Sequence, residues 1–256
     1  MAAEFPGLRL AVGTLSILRV RVDVADRRTA GRAMALAPLV GAGIGLAAAA
    51  AGWAARAYTD SVFVAAVAAV AAGAVLTRAL HLDGLADVAD GLGSAKRPAQ
   101  ALEVMKRSDI GPFGVVTLVL VLALQIACIM AAYGHHRGGL AVIVAAVAGR
   151  LAITLACTPG VPSARPDGLG AWVAGSVRVR TAAGVAVLCL GACAGLGFVR
   201  GAGGALLAGA AVAVGVLCAM ALLRRCTARF GGITGDVLGA LAETAAAGAL
   251  LVLAVR

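Results

Sequence analysis

The sequence predicts an all-α, polytopic integral membrane bundle of about seven transmembrane helices, with its active site on the cytoplasmic side. Three observations predict it. Of the 256 residues, 62% are apolar, against roughly 45–50% in an ordinary soluble domain. Mean hydropathy is +1.00, and charged residues make up only 13% of the chain. The apolar residues also fall in runs that reach the roughly 20 residues a helix needs to cross a bilayer. A soluble domain of this length has too little interior to hide so much apolar surface. The composition therefore excludes a soluble enzyme, a disordered chain and a disulfide scaffold.

Residues 1–256 read as a single membrane-embedded domain, opened by an N-terminal segment over residues 1–32. Glu4 and Arg9 interrupt the start, so this segment is not a cleaved signal peptide. Apolar residues between Phe5 and Val20 recur at helical spacing and predict an amphipathic helix on the membrane surface. The predicted spans are 33–55, 61–80, 113–133, 139–157, 181–199, 203–223 and 236–255. Seventeen Lys and Arg residues fall on one side of this topology and four on the other, with Arg150 inside a span. The bias puts the N-terminus and the three larger loops in the cytoplasm and the C-terminus outside. It also accounts for the net charge of +10 without nucleic acid, since no basic run is interleaved with aromatics. The six cysteines lie in or beside apolar stretches, with no CxxC, and read as small packing residues. Gly41–Gly45 and Gly191–Gly195 read as seams for close helix approach, compatible with a homo-oligomer.

Seven of the twelve acidic residues fall within 81–114 and 231–243, where the chemistry must concentrate. The first motif is His81-Leu82-Asp83-Gly84-Leu85-Ala86-Asp87-Val88-Ala89-Asp90-Gly91, directly after the second span. If that helix continues, Asp83, Asp87 and Asp90 line one face at i, i+4 and i+7. Three like charges at that spacing call for a cation, and hard oxygen ligands suit Mg²⁺. Gly84 and Ala86 leave room for a substrate beside it, while a solvated acidic helix end is the plainer alternative. His81 is a candidate ligand or proton carrier, or simply an interfacial anchor.

Farther on, Lys106 and Arg107 are candidates to neutralise phosphate oxygens, and Ser108 and Asp109 to cap the next helix, with Pro112 in its first turn. The last motif, Gly231-Gly232-Ile233-Thr234-Gly235-Asp236, is a glycine-rich turn entering a helix and offers N–H groups to an anion. Asp236 is either a metal ligand or an ordinary helix cap. Glu243, two turns deeper on the same face, needs a partner or a function, and Arg150 is its natural counter-ion.

These three motifs in this order resemble the adenosylcobinamide-GDP ribazoletransferase (cobalamin synthase) family. Weaker support comes from Leu36-Ala37-Pro38-Leu39-Val40-Gly41, from Gly149-Arg150 and from Asp167-Gly168-Leu169-Gly170, so the likeness runs from about residue 5 to the C-terminus. The resemblance implies a Mg²⁺-dependent transferase of the inner membrane. Its substrates are adenosylcobinamide-GDP and α-ribazole (or its 5′-phosphate), and its products adenosylcobalamin (or its 5′-phosphate) and GMP. On that reading Asp83, Asp87, Asp90 and Asp236 hold the metal, and one carboxylate takes the hydroxyl proton. Lys106 and Arg107 stabilise the phosphates. His81, Gly84, Ser108, Asp109, Arg150, Gly231, Gly232, Thr234, Gly235 and Glu243 contact substrate. Two rivals remain. A CDP-alcohol phosphotransferase needs Asp-Gly-x2-Ala-Arg, but Asp83-Gly84-Leu85-Ala86 is followed by Asp87 and no Arg stands there. A transporter suits an intramembrane Arg150 and Glu243, but the halves of the chain show no symmetry.

Overall fold

The computed structural model describes residues 5–20, 26–107 and 109–255. Ser108, one of the predicted site residues, lies outside them, as do Arg21 and Arg256. The described residues form α1 (Pro6–Leu15), α2 (Arg27–Ala35), α3 (Ala37–Thr59), α4 (Val62–Leu76), α5 (Leu80–Gly93) and α6 (Pro98–Val104). There follow α7 (Pro112–Gly134), α8 (Gly138–Ala156), α9 (Gly168–Val173), α10 (Val179–Phe198), α11 (Gly201–Phe230) and α12 (Gly235–Leu253). Six of these, α3, α7, α8, α10, α11 and α12, are long and apolar enough to cross a membrane. The chain is a multi-pass membrane bundle.

The helix boundaries follow from local chemistry. Asp26 caps α2 by accepting the Thr29 N–H at 2.7 Å, and Pro38 in the first turn of α3 breaks that helix from α2 at Leu36. The predicted span 33–55 is therefore two helices, with the crossing displaced to 37–59. Ser61 caps α4. The second span departs furthest from expectation, because the helix does not continue into the acidic motif. It stops at Thr77, whose hydroxyl bonds back to the Gly73 carbonyl, and Arg78 and Ala79 take left-handed conformations at φ 55° and 54°. That conformation costs a residue with a Cβ about 1–2 kcal/mol, so tertiary packing holds it. The axis turns by 89° there. The 15 residues of α4 reach only about 22 Å, short of the roughly 30 Å hydrocarbon core. α5 then leaves at that angle and packs against α12 and α7; with α4 it makes a bent pair, apolar enough to be one further, broken span or a re-entrant loop.

α8 and α12 form the buried centre. Lipid burial supplies no force between helices, so close van der Waals approach must. Gly149 lies against the Ala242 carbonyl, where a Cβ would come within 2.8 Å, and Gly41 and Gly45 seat α3 against Ala146 and Ile143 of α8 in the same way. The seam predicted at Gly191–Gly195 differs: both end glycines meet nothing within 4 Å and face outward from α10. All six cysteines are free thiols, and five of them are buried packing residues.

The two ends of the bundle are chemically distinct. At one end Arg200 donates to the carbonyls of His136 and His135 at 2.9 and 3.0 Å, and Arg137 donates to that of Val255. The other end gathers α2, α5, α6, the loop between α8 and α10, and the turn between α11 and α12. It carries most of the basic residues and is called the basic end below.

Candidate active site

The predicted acids come together at the basic end, from two helices. On α5, Asp83 is exposed and Asp87 half-buried. Asp236 stands in the first turn of α12, and Gly84 lets the two helices touch. A Cβ at position 84 would lie 2.6 Å from the Asp236 carbonyl oxygen and 2.8 Å from its Cα. This corrects the expectation that Gly84 leaves room for substrate: α12 fills that space, and Ala86 is buried. Arg165, from the loop before α9, lies with Nη1 4.0 Å from Asp236 Oδ2 and is itself held by the Leu102 carbonyl at 2.6 Å. A cavity of about 290 Å³ opens beside them, lined by Leu80, Arg165, Asp167, Gly168, Gly235 and Asp236 among others.

The turn before α12 is built by pairing rather than as an open anion cradle. Gly231 ends α11 at φ +86°, a left-handed position that favours glycine. Gly232 passes so close to Pro162 that a Cβ would sit 2.2 Å from its carbonyl oxygen. The Ile233 N–H donates to the Pro162 carbonyl at 2.9 Å and the Ile233 carbonyl accepts from Ala164 at 3.0 Å, pinning the Arg165 loop to the turn. Thr234, rather than Asp236, caps α12 by accepting the Val237 N–H at 3.2 Å. Its hydroxyl also lies 3.2 Å from Asp236 Oδ2, to which it donates, so it orients that carboxylate.

Asp90 has a different task from Asp83 and Asp87. Its two carboxylate oxygens accept the N–H groups of Gly111 at 2.8 Å and Gly114 at 2.9 Å. It therefore satisfies the amino end of α7, where two donors lack helical partners, and it is 7% exposed. Asp109 does not cap α7: Gly111 occupies the cap position and Asp90 supplies the oxygens. Asp109 and Arg107 are exposed, and Lys106 makes a 3.7 Å ion pair with Glu103 on the surface. None of these residues lines the cavity beside Asp236.

Electrostatics marks Asp87. Burial, then the negative charges of Asp236, Asp83 and Asp90, push its carboxyl up to about 7, and Arg165 only partly offsets them. The group is short of positive charge. Among the described residues no three His, Cys, Asp or Glu side chains converge tightly enough to hold a metal by themselves. The donors present are nevertheless hard carboxylate oxygens. Mg²⁺ commonly takes one or two carboxylates and fills its shell with water and phosphate oxygens, and Asp83 and Asp236 are donors of that type.

A second polar layer lies deeper. His81 is 2% exposed, with Nδ1 3.4 Å from Arg150 Nη2. Glu243 does not pair directly with Arg150 as expected; it accepts from Gln125 Nε2 at 2.8 Å. Arg150, Glu243 and Gln125 line a cavity of about 90 Å³ within the bundle. Sequence reasoning missed Arg165 and Gln125. A lone amide in the apolar run of α7 was the available signal for Gln125. The motif at Asp167–Gly170 pointed to the loop but not to Arg165.

Fold and site together define a membrane-embedded protein whose carboxylates and arginine face an open cavity at one end, a setting suited to charged phosphate chemistry. The cobalamin-5-phosphate synthase family model matches residues 7–254, and the chain belongs to that family. It is 48% identical to the adenosylcobinamide-GDP ribazoletransferase of Frankia casuarinae, over 96% of this chain and 93% of that protein. Identity is 41% to the enzyme of that name from a Nocardioides species, covering 97% and 98%. It is 31% to that of Corynebacterium diphtheriae, covering 99% and 93%. No solved structure matches the chain.

Proposed function

We propose that the protein joins adenosylcobinamide-GDP to α-ribazole or its 5′-phosphate, yielding adenosylcobalamin or its 5′-phosphate and GMP. Family membership over nearly the whole chain carries this reading. The reaction forms a bond from a free ribose hydroxyl of the ribazole, not the 5′-oxygen that carries the phosphate in the alternative acceptor and product, to the phosphorus joined to cobinamide, and breaks that phosphorus's bond to the GMP oxygen. Such a transfer needs positioning and charge neutralisation more than covalent chemistry. The site offers both.

Asp87 is the group suited to take the proton of the attacking ribose hydroxyl, because a carboxyl held up to about 7 is an effective base near neutral pH. Asp83 and Asp236 are the carboxylates suited to Mg²⁺, which when bound would neutralise charge on the diphosphate. Thr234 keeps Asp236 oriented, and Arg165 presents a guanidinium to the phosphates of a substrate entering the cavity. Lys106 and Arg107, exposed to solvent, draw the anionic substrate in. Arg150, His81 and Glu243 support α5 and α12 from below. The excess of positive charge at the basic end supports a cytoplasmic placement for the site, where soluble nucleotides are available.

The test is chromatographic detection of GMP and a new corrinoid from purified protein, both substrates and Mg²⁺. Product should be lost with EDTA and in Asp87→Asn. Turnover that persists in EDTA and in Asp87→Asn would remove the proposed site from the reaction.

A further inference from the structure

A second pocket lies on the basic end, between α2 and the start of α10, and shares no lining residue with the acidic cavity. It has a volume of about 240 Å³, and its walls include Arg28, Arg32, Arg178, Ser176 and Thr181. The pocket exists because Gly31 of α2 meets the chain at Ser176: a Cβ there would lie 2.3 Å from the Ser176 carbonyl oxygen. Arg27 donates to the Ala174 carbonyl, and the Val177 N–H donates to Cys157 at 3.0 Å, which fixes the floor. Among the described residues no carboxylate lines the pocket. None of the ion pairs among the described residues involves its three arginines. Asp26, the nearest acid in sequence, is engaged in capping α2. The Ser176 hydroxyl is buried there without a hydrogen-bond partner.

Three exposed arginines on the walls of one cavity concentrate positive charge there, which an anion would offset, and an orphaned buried hydroxyl wants an acceptor. Both requirements are met by phosphate oxygens, which guanidinium forks bind in pairs. Position refines this. The spanning helix α10 begins at Val179 and α3 at Ala37, so the pocket lies where the apolar part of the bundle gives way to water. We propose that this pocket binds a phosphate group at the level of the lipid headgroups. The phosphate is that of an anionic phospholipid or of a soluble ligand, and the chemistry of recognition is the same for both.

The experiment uses the full chain in phosphatidylcholine nanodiscs, titrated in one arm with phosphatidylglycerol and in the other with inorganic phosphate. Binding is read by native mass spectrometry and by the thermal unfolding midpoint. Arg28→Gln/Arg178→Gln should weaken binding about tenfold or more, since each lost charge-assisted contact is worth roughly that factor. Arg32→Gln, on the wall formed by α2, should weaken it separately. A control, Arg97→Gln/Arg180→Gln, removes the same charge from the same end but not from the pocket, and should bind as the unaltered protein does. Retention of phosphatidylglycerol alone identifies a headgroup site; binding of inorganic phosphate identifies a site for soluble phosphate. Equal affinity in the pocket variant and the control, or no binding of either ligand by the unaltered protein, overturns the proposal.

Discussion

Asp90 separates what spacing suggests from what the fold does, and its replacement has a calculable effect. It accepts two backbone N–H groups at 2.8 and 2.9 Å from the first residues of α7, in a setting only 7% exposed. Asp90→Ala leaves two amide donors without partners, that of Gly114 buried and that of Gly111 half-buried, and a fully buried orphan costs about 1–3 kcal/mol. It also removes a negative charge from a helix amino terminus, worth about 0.3–1 kcal/mol. Because the two bonds share one carboxylate and the site can relax or admit water, the sum overstates the loss; about 2–4 kcal/mol is expected. Asp90→Asn keeps one acceptor oxygen and should lose about half as much. The assay is unfolding in detergent followed by tryptophan fluorescence, with Asp87→Asn as the comparison. That variant loses turnover and unfolds like the unaltered protein or slightly later, because it relieves repulsion. The reasoning is refuted if Asp90→Ala unfolds at the unaltered midpoint while its Mg²⁺ affinity falls, for Asp90 would then be a ligand.

Other outcomes follow from the same geometry. The kcat/KM at low Mg²⁺ should rise as pH passes through about 7, where Asp87 loses its proton. Asp236→Asn removes the largest charge holding that proton on, and saturating Mg²⁺ also favours the ionised carboxylate; pH profiles should show either change moving the rise to lower pH. Gly84→Val forces side-chain atoms against the Asp236 backbone and should destabilise by about 1–3 kcal/mol. With α5 and α12 pushed apart it should also lose turnover, which steady-state assays on the folded fraction would measure. Thr234→Ala should cost about 1 kcal/mol as a lost cap and lower kcat more than it raises KM, because Asp236 loses its orienting hydroxyl; Thr234→Ser should restore both.

The spans were legible because bilayer thickness fixes their length. The predicted 113–133, 139–157, 181–199 and 236–255 fall within two residues of α7, α8, α10 and α12. α11 instead runs on to Phe230, seven residues past the apolar run, because Arg224, Arg225 and Arg229 continue the helix beyond it. The turn at Thr77–Ala79 was not legible. It contains neither Gly nor Pro, and its left-handed residues are held by packing against distant helices: His81 of the following turn rests on Gly239 and Arg150. The acidic stripe was half legible. Helical spacing correctly places Asp83 and Asp87 on one face of α5, but the partners of Asp90 lie 21 and 24 residues away and belong to tertiary structure. Asp236 was found from its glycine turn. That Thr234 caps the helix and leaves the Asp236 carboxylate to the cavity is a matter of side-chain geometry that sequence spacing does not carry.

The proposed function requires direct transfer at a phosphorus, with no water taking part. The measurement is the reaction run in ¹⁸O-enriched water with adenosylcobinamide-GDP, α-ribazole and Mg²⁺, with GMP and the corrinoid product weighed by mass spectrometry. Direct transfer gives GMP and cobalamin in equal amounts, neither carrying solvent oxygen, and no GMP when ribazole is withheld. GMP released without ribazole, with solvent oxygen in GMP or in a cobinamide phosphate, would make the protein a hydrolase and contradict the account.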